Sequence, residues 1–222
     1  MSKFETHMHT SETSSCGKVE AAEGIRLYKK AGYDGVVITD HFYEKFFEDL
    51  AGMPWEDKID NYLAGYRKAY EEGKKLGIIV LLGMEIRFTE NANDYLVYGV
   101  SESFLKNHPK PYKLGLKEFK KLADRENFLI FQAHPYRAKM IVADLQDIHG
   151  VEVYNGNPRH NSRNDKALTL AAGNGLLMSS GSDFHQPEDV ARGGMIFPSD
   201  IKTIGEFVQA LKSRAAELIR TE

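Results

Sequence analysis

Five of the eight histidines in this chain stand at or just past the end of an apolar, strand-like run. His7 and His9 close the run 4–9, His41 follows 35–39, His134 follows 128–133, and His185 follows 175–180. Two carboxylates share the habit: Glu85 lies near the end of the run 78–88, and Asp183 stands beside His185. In barrels and open α/β sheets the carboxyl ends of parallel strands gather at one rim, where active sites are built. A chain that loads those ends with imidazole and carboxylate therefore calls for such a fold. The remaining histidines, His108, His149 and His160, fall in polar or turn-like sequence.

Between the runs lie helix-like segments, and the alternation predicts an α/β fold in one domain spanning residues 1–222. Helices are expected over 19–31, with Ala22, Ile25, Leu27 and Tyr28 inward and Gly32 as a stop, and over 56–76, ended by Gly77. Further helices are expected over 117–125, about 141–147, through 170–173, and over 204–219. Strands are expected at 4–9, 35–39, 78–88, 94–100, 128–133, 150–154 and 175–180. Residues 42–54 read as an aromatic-rich loop and 101–112 as a solvent-exposed one. Only the polar link 89–93 separates the run at 78–88 from that at 94–100. Parallel strands need a crossover of about a dozen residues, so these two should pair as a hairpin, bringing Asp94 close to Glu85. Pro135 cannot continue a strand ladder, so the strand hands over to a loop at His134.

Within one strand, His7 and His9 project from the same face, about 7 Å apart along the chain. A lone His-x-His is commonly just polar surface, and a lone strand-end histidine is commonly a hydrogen-bonded packing residue. Five histidines and three carboxylates at one rim are much harder to dismiss. Imidazole plus carboxylate without thiolate suits Zn, Mn or Fe, and the donors outnumber the needs of one ion, so two to three divalent ions are expected. Clustered divalent ions suit phosphate ester hydrolysis: they hold the phosphate, acidify water and stabilise the leaving oxygen.

Composition is that of a soluble globular chain, with 42% hydrophobic and 27% charged residues. The net charge of −3 argues against broad nucleic-acid or anionic-membrane binding. Cys16 is the sole cysteine, so no intramolecular disulfide is possible. With no apolar signal stretch and no run of transmembrane length, a cytoplasmic location is expected.

The motifs His7-Met8-His9, Ile38-Thr39-Asp40-His41, Gly83-Met84-Glu85, Ala133-His134-Pro135 and Gly181-Ser182-Asp183-Phe184-His185 together resemble the PHP (polymerase and histidinol phosphatase) family. The resemblance implies a distorted TIM-like barrel of about seven strands, (β/α)7, with metal ions at its C-terminal rim and a metal-bridging hydroxide as nucleophile. Carried over residue by residue, it implies that His7, His9 and Asp183 hold one ion, that Glu85 bridges to a second held also by His134, and that His41 and His185 hold a third. The chain departs from the family pattern twice. After the bridging Glu the family often has a histidine, for which Asp94 is the substitute here. Past His-x-His the family supplies Asp or His to the third ion, and the loop 11–16 offers Glu12, with Cys16 the weaker alternative.

Arg87, two residues after Glu85, Arg137 in His134-Pro135-Tyr136-Arg137, and Arg159 in the loop 155–163 are candidates to hold a substrate phosphate, each set against a solvated surface charge. Guanidinium matches phosphate in bidentate fashion, and Arg137 is the best placed. Glu85, Asp183 and Arg137 are the residues expected to carry catalysis. The partner expected is a small phosphorylated substrate, such as histidinol phosphate or a nucleotide. His160 could protonate a leaving group, although a surface role suits a loop histidine better. Phe42, Tyr43, Phe46, Phe47 and Trp55 could wall a substrate pocket or pack their own loop. Two other readings stand beside phosphoesterase: an amidohydrolase acting on C–N or C–O bonds, which also begins with His-x-His, and a non-catalytic metal-bearing module. The arginines and the Thr-Asp-His and Asp-x-His endings favour phosphate.

Overall fold

The apolar runs assemble into one twisted sheet that curls almost into a barrel. The computed structural model describes residues 1–221; Glu222, the last residue of the expected single domain, lies outside them. The chain opens with β1 (Ser2–Met8), α1 (Ala21–Lys30), β2 (Gly35–Ile38), a two-residue β3 (His41–Phe42) and α2 (Glu44–Glu48). It continues through α3 (Trp55–Tyr62), α4 (Ala64–Leu76), β4 (Ile79–Arg87), β5 (Asp94–Tyr98), α5 (Glu102–Asn107), α6 (Leu116–Glu126) and β6 (Leu129–Gln132). The last part holds β7 (Gly150–Asn155), α7 (Asn164–Gly173), β8 (Leu177–Gly181), β9 (Gly193–Phe197), α8 (Ile204–Ser213) and β10 (Glu217–Arg220).

The strands run in the order β10-β9-β1-β2-β4-β5-β6-β7-β8. The wall of the barrel is the stretch β1-β2-β4-β5-β6-β7-β8. Its pairs are parallel except at β5, which is antiparallel to both β4 and β6. The expected hairpin accounts for β5: Arg87 pairs with Asp94 and Glu85 with Leu96. The wall closes where β8 meets β1. There Thr6 Oγ1 donates to the Ser180 carbonyl at 2.7 Å, and Phe184 N–H and His9 N–H bond across the seam to His7 O and Phe184 O.

Glu5 completes that closure. Its carboxylate, fully buried, accepts from Thr6 N–H, His7 N–H, Ser182 N–H and the Tyr28 hydroxyl at 2.7–2.9 Å. A buried charge is tolerated only when it is hydrogen-bonded this fully. Burial nonetheless holds its pKa above the usual carboxylate range, against the four donors.

Helices pack outside the wall. In α1 the inward positions are Ala21, Gly24, Ile25 and Tyr28, the spacing of a helical stripe. Gly77, at φ 63°, ends α4 in the left-handed conformation that favours glycine. Under the barrel floor, α8 starts on a Thr203–Glu206 capping box and drives Phe207 against Phe4, Tyr98 and Phe197.

Several expectations need correction. The helix over 56–76 is two helices that break at Leu63. The loop 42–54 contains β3 and α2, and the loop 101–112 contains α5 and buries Pro111 and Tyr112. The segment 141–147 carries only a 3₁₀ turn at Leu145–Asp147, capped by the Asp144 side chain accepting from Gln146 N–H, with none of its three residues buried. The helix from 204 stops at Ser213, and the strands β9 and β10, not expected, pair antiparallel along the β1 edge. Among the described residues, no helix is long and apolar enough to cross a membrane.

Candidate metal centre

Five strand-end histidines and two carboxylates meet at the C-terminal rim of the barrel wall, at the floor of a pocket of about 500 Å³. His7 lies in β1 and His9 just past it, His41 in β3, Glu85 in β4, His134 two residues past β6, and Asp183 and His185 in the turn after β8. Two of these residues take left-handed backbone conformations, His134 at φ 29° and Asp183 at φ 50°. Such positions cost roughly 1–3 kcal/mol each and persist only where the surroundings over-determine them. Here they do: His134 N–H donates to Glu152 at 3.0 Å, and the Asp183 carbonyl accepts from Asn157 Nδ2 at 3.1 Å and His185 Nδ1 at 2.8 Å. Gly181 lets the strand approach closely, since a Cβ there would lie 2.5 Å from that of His7.

The hydrogen bonds behind the imidazoles decide which ring nitrogens face the centre. His7 Nδ1 donates to the Glu152 carboxylate at 2.8 Å, leaving its Nε2 toward the centre. Ser14 donates its hydroxyl to Asp40 at 2.7 Å, so it must accept from His9 Nδ1 at 3.2 Å, which again leaves Nε2 inward. The two Nε2 atoms stand only 3.1 Å apart. Facing lone pairs at that distance repel unless a proton or a cation lies between them. Glu85 Oε1 and Oε2 and Asp183 Oδ1 approach the same pair at 3.3–3.5 Å. A tetrahedron with metal–ligand bonds of 2.0–2.1 Å has edges of about 3.3 Å, so the spacing suits a common ion. Glu85 is 1% exposed, yet neither of its carboxylate oxygens has a hydrogen-bond partner. Its Oε1 is also 3.3 Å from His134 Nε2, and its Oε2 is 2.6 Å from His41 Nδ1. A buried, unpartnered carboxylate ringed by imidazole nitrogens fits a cation-binding role.

Charge in the cluster follows from this crowding. Burial opposes charge on His7, but Glu152, Asp183 and Glu85 outweigh it and hold His7 well above its ordinary value. His41 is raised in the same way, burial being overcome by Glu85. His9 is held well below its ordinary value by burial and by His185 and His41 beside it. Burial favours a neutral Glu85 and a neutral Asp183, yet both are held well below the carboxylate range, Glu85 by His41 and His7, Asp183 by His7, His9 and Arg137.

Toward solvent, His9, His41 and His185 form a second cluster, with ring centroids of the two outer histidines each 4.3 Å from His9. The Cys16 thiol lies against His41 and His185. Burial would raise it, but hydrogen bonds from these two rings lower it to about 6. Asp94 lies near His41 and Glu85, as the hairpin requires, but both its oxygens accept from Arg87 at 2.8 Å. Glu12, expected at the third ion, is directed away from it: Oε2 accepts from Ala21 N–H at 2.9 Å, where it caps α1, and Oε1 faces Lys68.

The three arginines all line the pocket, together with Lys18, which the sequence reading passed over. Arg137 donates to Asp183, Asn155 and Ser162, and its Nε is buried without a partner. Arg159 directs its fork at Asp189 (2.5 and 2.7 Å), and Arg87 directs its own at Asp94. Neither of these two has a free bidentate face. His160 also lines the pocket, its pKa lowered by burial and by Arg137. The aromatic group packs its own loop instead: Phe42 and Phe47 are buried against Trp55, Tyr62 and Tyr112.

Sequence reasoning missed the residues that orient the ligands. Glu152 and Ser14 fix the His7 and His9 tautomers, and Asp40, buried with its pKa raised to about 6 by that burial against Thr10 and Ser14, anchors Ser14. Glu152, between Val151 and Val153 in β7, reads by alternation as a solvent-facing position. Nothing in the sequence marks Ser14.

Comparison with known proteins identifies the family and the fold. The family model described as PHP domain matches residues 5–185, and one described as PHP-associated matches 161–216. No curated protein matches the chain. Among solved structures, a Bacteroides vulgatus two-domain protein containing a predicted PHP-like metal-dependent phosphoesterase superposes with a TM-score of 0.71 at 20% identity. The match covers 99% of this chain and 64% of that one, so the chain spans less than two thirds of its relative. A candidate metal-dependent phosphoesterase of Bifidobacterium adolescentis gives a TM-score of 0.59 at 17% identity, covering 96% of each chain. A Chromobacterium violaceum amidohydrolase, solved with sulfate and without metal, gives 0.59 at 16%, covering 98% of this chain and 97% of that one. At these identities the structures share the fold.

Proposed function

The chain belongs to the PHP family, and from that premise we propose that it is a metal-dependent phosphoesterase acting on a small soluble phosphate ester. The observation that carries the proposal is the unpartnered, buried Glu85 carboxylate among the imidazoles of His7, His9, His41 and His134, below a pocket whose walls bear Arg87, Arg137, Arg159 and Lys18. His7, His9, Glu85 and Asp183 would hold one ion, His134 and Glu85 a second, and His41 with His185 a third, giving two to three ions of Zn, Mn or Fe. Such ions supply Lewis acidity, neutralising phosphate charge and acidifying water.

The chain's own residues supply the rest. Glu152 and Ser14 keep the His7 and His9 rings turned with Nε2 inward. Arg137 stands between Asp183 and the pocket and offers an unpaired Nε–H to an anionic oxygen. Arg87 and Arg159, tied to Asp94 and Asp189, serve as positive wall rather than as a free clamp, and Lys18 forms no ion pair among the described residues. Asp94, beside Glu85 and His41, becomes a ligand only by leaving Arg87.

A second reading, C–N hydrolysis, has the amidohydrolase neighbour in its favour. That neighbour holds sulfate, a tetrahedral oxyanion like phosphate, and a cationic pocket favours the phosphate ester here. The test is turnover of p-nitrophenyl phosphate and a panel of phosphorylated metabolites, against a panel of amides, with Mn, Zn and Fe supplied. Turnover confined to phosphate esters is expected; turnover confined to amides would reverse the assignment.

A further inference from the structure

We propose that a side cavity walled by Tyr43 and Arg87 is a subsite for an aromatic group in the alcohol part of the substrate. The proposal rests on the phosphoesterase reading and names the class of ester, a phosphate monoester whose alcohol carries an aromatic ring. The strand pair that builds the rim also builds this cavity. β3 lies on β4 with His41 opposite Glu85 and Phe42 opposite Ile86, and the same register carried one residue further sets Tyr43 beside Arg87. Side chains two apart on a strand share a face and stand about 7 Å apart. Tyr43 is therefore one step outward from His41, as Arg87 is from Glu85. The Tyr43 ring meets the His41 ring nearly perpendicular, with centroids 6.0 Å apart. Of the aromatic residues between 42 and 55, Tyr43 alone stands outside the core cluster that holds Phe42, Phe46, Phe47 and Trp55.

Arg87 is a wall of two cavities. It lines the pocket over the rim and also a neighbouring one of about 310 Å³, which it shares with Tyr43, Thr89 and Asn91. That volume is near the lower bound for a small-ligand site and gives room for one substituted ring. Asp94 holds Arg87 along one edge, through Nε and Nη2. Edge-on pairing leaves the flat faces of a guanidinium available for stacking, and phenol rings stack as well. The other charges on this wall are mostly engaged: Glu44 pairs with Lys113 at 2.8 Å, and Lys45 pairs with Asp49. Glu48, an exposed side chain, is the one charge there without an ion pair among the described residues. A planar, uncharged ring fits such walls, whereas a second anionic group would meet Glu44 and Glu48.

The test compares two esters matched in size and in leaving alcohol, 2-phenylethyl phosphate and 2-cyclohexylethyl phosphate, on the full chain with Mn, Zn or Fe supplied. The wild type should favour the phenyl ester in kcat/KM by about 3–10-fold, the usual worth of an aromatic pair. Tyr43→Ala should bring that ratio to about one, and Tyr43→Phe, which keeps the ring, should restore it. A ring with only a structural role would instead depress both esters together and leave the ratio where it was. No preference for the phenyl ester in the wild type, or a preference that survives in Tyr43→Ala, overturns the subsite. In either case turnover of p-nitrophenyl phosphate leaves the phosphoesterase reading standing. A wild type that hydrolyses none of the three phosphates overturns both.

Discussion

The two halves of the rim cluster are built differently. On the inner side His7 and His9 are fully buried, each ring turned by a partner behind it, Glu152 for one and Ser14 for the other. On the outer side His41 and His185 remain 21% and 15% exposed; His185 is oriented by a backbone carbonyl, and His41 has Glu85 itself as its closest partner. The inner donors stand on strand ends and are preorganised by a buried polar network. The outer rings have no such side-chain network behind them. On the proposed reading, an inner ion would bind tightly and an outer one would exchange, since orienting partners typically contribute 10–100-fold in metal affinity.

Glu85 belongs to both halves, so its loss should erase the contrast. In Glu85→Gln the shape stays and the charge goes. At least one ion and most of the turnover should be lost, a larger effect than loss of any terminal ligand, by elemental analysis and steady-state kinetics. Full metal content with near wild-type turnover would show that Glu85 is not the shared ligand.

Glu152→Gln attacks the inner half alone. It removes the negative charge behind His7 and weakens the acceptors for His134 N–H and Asn155. Inner-ion affinity should fall by about 10–100-fold, while the outer ion, read by chelator competition, stays near its wild-type value. Equal losses at both positions would mean that the halves are one cooperative unit.

Arg137→Ala asks whether the pocket wall can be separated from the cluster. Loss of a charge-assisted contact worth about 1.5–3 kcal/mol should lower kcat/KM by roughly 10–100-fold, with KM raised and metal content unchanged. Loss of metal along with activity would make Arg137 a structural support for Asp183, which it touches at 2.7 Å.

On the proposed reading, protons would compete with ions in both halves. His7 and His41 are held above the ordinary imidazole value of about 6.5, burial being outweighed by carboxylates. A raised pKa keeps the proton on to higher pH, and an ion binds only the deprotonated ring. Affinity should therefore fall with falling pH, and the fall should begin above about 6.5 rather than below it. Equilibrium dialysis across a pH series reads this, and a flat response down to about pH 5 would contradict it.

The smallest effect belongs to Glu12→Ala. It should leave metal content untouched and reduce stability by about 0.5–2 kcal/mol, the usual range for a lost helix cap, as measured by thermal denaturation. A lost ion would return Glu12 to the outer position.

What the sequence made legible follows the same division. The inner donors could be read because each ends an apolar run, and strand geometry then dictates where such residues go; the β4–β5 hairpin was readable from the five-residue link alone. The loop side was not readable in the same way. Whether Glu12 or Cys16 faces the cluster depends on how the loop folds back under Ser14, and that turns on tertiary hydrogen bonds with no local signature. Glu5 and Glu152 were hidden because a lone carboxylate inside a strand reads as solvent-facing, whereas here each serves several buried donors. The strands β9 and β10 escaped for a related reason: they exist by pairing along β1, and Glu217–Arg220 is half-exposed with little periodicity of its own.

The central claim is that this rim is a polynuclear metal centre, and elemental analysis tests it most directly. The purified chain, reconstituted at neutral pH with Zn, Mn or Fe and freed of excess ion, should carry about two to three ions per chain. Fewer than about one ion per chain under those conditions would contradict the account.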